Sequence, residues 1–115
     1  MNALWVAVGG AAGSLLRWGV NLLFGDRAPT GFPWATLLIN AVGCLLIGLV
    51  LGRVRFSQGV TLLLATGFCG GFTTFSSFAF EAHTLVQSGA WQRALVYVLL
   101  SNVLGFAGVL VGVKL

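Results

Sequence analysis

The sequence predicts an all-α integral membrane protein of four transmembrane helices, and three observations carry that prediction. Of its 115 residues, 58% are hydrophobic and only 7% are charged, against about 25% charged in an ordinary soluble domain. Four stretches stay nearly free of charge for the ~20 residues that a helix needs to cross a bilayer. Turn formers and most of the charge fall between those stretches.

The first stretch, Ala3 to Phe24, is broken only by Arg17 near its end, where a long side chain can reach the interface. It lacks the basic leading region of a secretion signal and stays apolar past the usual length of one, so it is expected to persist in the mature protein. The second, Phe32 to Leu51, has Asn40 as its one amide. The third, Val60 to Phe80, contains Gly67-Phe68-Cys69-Gly70-Gly71-Phe72-Thr73-Thr74-Phe75-Ser76-Ser77-Phe78. Lipid tolerates an interrupted helix only where the break is buried in protein or lines a cavity, so this run of glycines and hydroxyls is read as a site in a helix broken near its middle. The fourth stretch is Ala94 to Val113, and the connections are Gly25-Asp26-Arg27-Ala28-Pro29, Arg53-Val54-Arg55, and Glu81 to Arg93. These four helices form one domain over 1–115. Trp5, Trp34 and Trp91 near the starts of spans, and Trp18 near an end, suit headgroup-level anchoring.

Glycine makes up 17 of the 115 residues, about twice the usual share. It recurs at four-residue spacing in Gly9 and Gly13, Gly48 and Gly52, Gly67 and Gly71, and Gly108 and Gly112, a spacing that lets helix backbones approach closely. Four short helices can hardly enclose a water-filled path alone, so an oligomer is expected. The loop charges suggest its symmetry: one side collects Arg53, Arg55 and Lys114, and the other Arg27 and Arg93, with Arg17 near it. A chain so evenly balanced under the positive-inside rule is able to insert both ways, which allows an antiparallel dual-topology homodimer with its two-fold axis in the membrane plane.

The net charge of +4 comes from six basic residues scattered over loops and helix ends, which is not the patch that nucleic acid requires. Cys44 and Cys69 read as small apolar side chains, with no disulfide or metal cluster implied.

The runs Gly9-Gly10-Ala11-Ala12-Gly13-Ser14-Leu15-Leu16-Arg17-Trp18, Ala35-Thr36-Leu37-Leu38-Ile39-Asn40-Ala41-Val42-Gly43, and Gly67 to Phe78 closely resemble those of the Fluc (CrcB) fluoride channels, in matching order along the whole chain. The resemblance implies a passive channel exporting fluoride across the cell inner (plasma) membrane. It also implies a dual-topology homodimer with two antiparallel pores and a central structural sodium ion (Na+).

Physical chemistry suits these residues to that task. Phe75 and Phe78 share a helix face by their three-residue spacing, and aromatic edges are partially positive, so they can replace an anion's hydration without the deep trap of a buried lysine or arginine. By resemblance they are the pore phenylalanines. Asn40 can donate to an anion without carrying charge, and the matching asparagine of the family reaches the pore. Ser76, Ser77 and Glu81 continue the third helix, with Tyr97 and Ser101 one turn apart on the fourth, and together they can form a polar track. Serine fills position 77 where many relatives have threonine, and the hydroxyl donor is kept. Glu81 should repel an anion unless it is protonated or hydrogen-bonded, so it either lines a vestibule or organises donors. Arg17 is expected to draw anions to the pore mouth or to brace the dimer.

A broken helix frees carbonyl oxygens, and unwound carbonyls are sodium ligands in other membrane proteins. Carried over by position, the family's sodium contacts fall on the carbonyls of Gly70 and Thr73, one set from each subunit. Asn102 is placed near the interface between subunits and His83 at the headgroup level.

Two other classes share some of these features. A small multidrug-type antiporter has similar length and symmetry but needs a proton-coupled carboxylate deep in its first helix, where this chain has no acid. A non-transporting membrane assembly subunit explains the small residues and aromatics but not the hydroxyl-rich break. An enzyme is not expected, because no nucleophile, base and orienting group occur together.

Overall fold

The computed structural model describes residues 1–24, 31–52 and 55–115. Arg27 and Arg53, two of the loop charges that bear on orientation, lie outside the described residues. Helix α1 is Asn2–Phe24 and α2 is Trp34–Leu51. The third span, Gln58–Gln87, is built in pieces: α3 Gln58–Thr61, a π-helical stretch Leu62–Cys69, α4 Gly70–Phe72, and α5 Phe75–Gln87. Helix α6, Trp91–Lys114, completes the chain. Among the described residues, four spans are long and apolar enough to cross a membrane, and the molecule's long dimension of 48 Å exceeds the ~30 Å hydrocarbon core.

Two tight helix contacts organise these spans: α1 lies mainly along the π-helical stretch, and α2 along α6. Glycine makes both possible. A Cβ at Gly9 would overlap the Leu63 carbonyl, and one at Gly13 the Phe68 carbonyl. In return, a Cβ at Gly67 would sit 2.8 Å from the Val6 carbonyl, and one at Gly71 2.6 Å from that of Gly10. On the other side, Gly48 meets the Val109 backbone and Gly112 the Leu45 carbonyl. The four-residue spacing therefore marks packing seams within one chain.

The interruption of the third span does not fall on its glycines, which the sequence pattern suggested as helix breakers. Gly67, Gly70 and Gly71 are all helical, and the chain leaves the helix at Thr73 (φ −80°, ψ 158°) and Thr74 (φ −150°, ψ 118°). The glycines pack and the threonines break.

The span also runs further than its hydropathy suggests. Helix α5 extends to Gln87 and closes with Gly89 at φ 86°. There the Ala90 N–H bonds the Leu85 carbonyl at 2.8 Å and the Gly89 N–H bonds that of Val86 at 3.0 Å, a Schellman closure that favours glycine. Glu81 and His83 thus lie inside a helix, and only Ser88–Ala90 connects it to α6. Beneath this corner, Leu37, Leu85, Ala94 and Tyr97 form a buried cluster with Phe78 packed against it.

The α1 seam leaves no room for a methyl group. Gly13→Ala is expected to cost about 1–3 kcal/mol by overpacking, whereas Gly19→Ala, with nothing within 4 Å of the added Cβ, should be neutral; thermal unfolding in detergent compares the two.

Candidate functional site

At the break, four carbonyls from Gly70 to Thr73 lose the N–H donors that a continuous helix would supply four residues on. Thr74 N–H, which would have bonded Gly70, instead donates to Asn40 Oδ1 at 2.9 Å, and Asn40 Nδ2 donates to the Thr74 carbonyl at 3.1 Å. One side-chain amide on α2 therefore satisfies both polar groups of one extended residue. Thr74 also caps the helix that follows, its Oγ1 accepting from Ser77 N–H at 3.1 Å. Arg17 reaches in from α1, and its Nε donates to the Gly71 carbonyl at 3.0 Å. Thr73 Oγ1 bonds back to the Cys69 carbonyl at 2.8 Å.

Beside the break lies an open cavity of about 530 Å³, with Asn40, Gly70, Thr73, Phe75, Phe78, Ser101 and Asn102 on its walls. The two phenylalanines stand 5.7 Å apart between centroids, tilted by 49°, as their spacing on one helix face anticipates. Phe75 is 79% exposed, while Phe78 is partly buried and leans on Tyr97 with centroids 5.1 Å apart. Ser101 Oγ is buried and has no hydrogen-bond partner among the described residues.

The other members of the polar track lie off the cavity wall. Tyr97 is fully buried, and its hydroxyl donates to Glu81 Oε1 at 2.9 Å. Thr36, on α2 one turn before Asn40, donates to Glu81 Oε2 at 3.0 Å. Both carboxylate oxygens are thus engaged, one by each hydroxyl. Ser77 is half-buried under the Thr74 cap, and Ser76 is exposed, with its Oγ 3.3 Å from that of Thr74.

The structure therefore brings Asn40, Phe75, Phe78 and Ser101 together with the backbone of Gly70 and Thr73. It places Glu81 and Tyr97 behind Phe78, and Arg17 across the break on α1. Asn102 reaches the cavity, its amide donating to the Val98 carbonyl at 2.8 Å. Sequence reasoning missed Thr36 and Thr74 as working parts. Their signals were present: Thr36 falls on the same helical face as Asn40, and a threonine ahead of a helical run is an N-cap signature.

The sequence model of the family described as CrcB-like protein, Camphor Resistance (CrcB), matches residues 4–113. A protein of Paracoccus denitrificans named fluoride-specific ion channel FluC is 49% identical over 111 residues, covering 95% of this chain and 89% of that protein. Proteins with the same name from Roseiflexus sp. and Thermus thermophilus are 46% and 45% identical, each over 97% of this chain and over 94% and 92% of their own lengths.

Replacing Asn40 by leucine would strip the Thr74 backbone of both partners. With about 1–3 kcal/mol for each buried group left unpaired, Asn40→Leu should lower the unfolding temperature clearly more than Asn102→Leu, which removes an exposed bond within one helix.

Proposed function

This chain belongs to the CrcB-like protein family, and we propose that it is a passive, fluoride-selective channel that lets fluoride leave the cytoplasm across the inner (plasma) membrane. The observation that carries this reading is a cavity with weak donors and aromatic edges on its walls and no charged side chain among the described residues that line it. An anion needs partners to give up its water, but a desolvated full positive charge would hold it too firmly for rapid exit. The ring edges of Phe75 and Phe78 and the unpartnered Ser101 hydroxyl meet both demands. Asn40 takes part chiefly as a support, since both ends of its amide are engaged with Thr74.

Charge is kept near the path but out of it. The Arg17 guanidinium is tied to the Gly71 carbonyl, so it braces the break while adding positive potential at the pore mouth. Glu81 spends its oxygens on Thr36 and Tyr97, and Tyr97 in turn supports Phe78. Glu81 is thus an organiser of donors, set back from the cavity wall as Ser76 and Ser77 are.

A path of this kind is completed by a second copy. Phe75 is largely exposed, the cavity is open on one side, and an antiparallel homodimer would close two such cavities into two pores. At the two-fold axis, the freed carbonyls of Gly70 and Thr73 from both copies suit a structural Na+ ion, a hard cation that takes oxygen ligands. Gly70 supports this fit: it is exposed, and a Cβ there would meet nothing within 4 Å. The ion would neutralise carbonyl dipoles left over by the break.

Fluoride and chloride efflux from liposomes holding the purified protein tests the reading, which predicts fast fluoride flux and little chloride flux. Phe78→Ile and Asn40→Asp should each slow fluoride by about tenfold or more, equivalent to ~1.4 kcal/mol or more of added barrier; absence of fluoride flux in the unaltered protein would overturn the channel assignment. Glu81→Gln leaves one acceptor where two hydroxyls donate and should reduce flux several-fold, whereas unchanged flux would remove Glu81 from the mechanism.

A further inference from the structure

Two thiols that the channel reading leaves unused share the wall of the cavity. Cys44 lies on α2 and Cys69 at the end of the π-helical stretch, and both are free. Their juxtaposition follows from the register of the two elements. Thr36 bonds Glu81, Asn40 bonds Thr74, and a Cβ on Gly43 would meet the Thr73 and Phe72 side chains, so α2 runs antiparallel to the third span past the break. One turn beyond Asn40 is Cys44; one turn back from Thr73 is Cys69, whose carbonyl receives both the N–H and the hydroxyl of Thr73. The register therefore places the two cysteines on neighbouring stretches of α2 and the third span, on the wall of one cavity. On its other side the Cys44 sulfur rests against α6, 3.4 Å from where a Cβ on Gly105 would lie. Cys69 is 4% exposed and forms part of the cavity wall.

We infer that Cys44 and Cys69 form a two-sulfur binding site for a soft, two-coordinate metal cation, of which Hg2+ is the type. Thiolates select soft ions. The described residues include no group of three or more histidine, cysteine or acidic side chains that could hold a metal, so the four-ligand shell favoured by Zn2+ cannot be completed here. Binding is balanced in atoms and charge. Each S–H gives its proton to cavity water, each sulfur forms one bond to the metal, and two thiolates cancel the 2+ charge to leave a neutral unit. Neutrality is what a low-dielectric wall demands. No oxidant takes part. Since the site opens on the cavity that holds Phe75, Phe78 and Ser101, an ion bound there obstructs the fluoride path; this obstruction rests on the channel reading, while the binding itself does not.

The binding test uses purified protein in detergent, Hg2+ as the probe and an excess of a monothiol as competitor. The expected result is one Hg2+ held per chain with two protons released, and an affinity about 10²–10⁴-fold weaker in Cys44→Ser and in Cys69→Ser, because the second sulfur acts at high effective concentration. Cys44→Ala and Cys69→Ala should behave alike and replace any serine variant that does not fold. Two ions per chain, or single variants that hold Hg2+ as firmly as the unaltered protein, would overturn the shared site. In liposomes, Hg2+ should stop fluoride efflux in the unaltered protein and spare each single variant, measured against its own metal-free rate. Normal efflux with Hg2+ bound would refute the obstruction, while absent efflux without metal would refute the channel reading and leave the binding result standing.

Discussion

In a bilayer core each peptide group must find its partner within the protein, and the pair of hydrogen bonds between Asn40 and the Thr74 backbone is where this chain meets that demand at its weakest point. Without them the extended residue would leave both a donor and an acceptor exposed in an apolar medium. With them, the third span can stop, step sideways and restart. The restart is itself secured by the Thr74 cap, and the step turns Phe75 and Phe78 toward the cavity. Arg17 completes the arrangement by taking the Gly71 carbonyl. Elements α1 and α2 thus contribute one polar residue each to hold a break in a third.

Such placement requires backbones that lie very close together, and glycine supplies the closeness. Along α1, the seam of Gly9 and Gly13 against the π-helical stretch brings Arg17 within reach of the break. Along α6, Gly108 and Gly112 do the same for α2 and therefore for Asn40. A longer helix separation would lose both polar contacts at once. The packing and the site are in this sense one design.

Electrostatics follow the same economy. Arg17 and Glu81 both have polar atoms committed to partners: the arginine Nε to a carbonyl, the glutamate oxygens to two hydroxyls. What faces the cavity is neutral and weakly polar, a surface on which an anion can rest without being trapped. Tyr97 links the two layers, since its hydroxyl holds Glu81 while its ring carries Phe78.

The sequence by itself determined the four spans, because absence of charge over ~20 residues is a local property that lipid enforces directly. It also determined that the third span is interrupted, and the resemblance of its motifs to a channel family singled out Asn40, Phe75 and Phe78, which the fold brings to one cavity. Tertiary structure decided where the break falls and what holds it. Gly70 and Gly71 look like breakers in one dimension, but a glycine can stay helical when a neighbouring backbone packs against it, as Gly10 does against Gly71. Thr73 and Thr74 gave way because Asn40, 34 residues away from Thr74, offers hydrogen bonds that compete with the helix. Tertiary structure likewise divided the polar track, placing Ser101 on the cavity and Glu81 behind Phe78 with Thr36 as its second donor. Partners so distant along the chain leave no periodic signal, since only folding brings them within hydrogen-bond range.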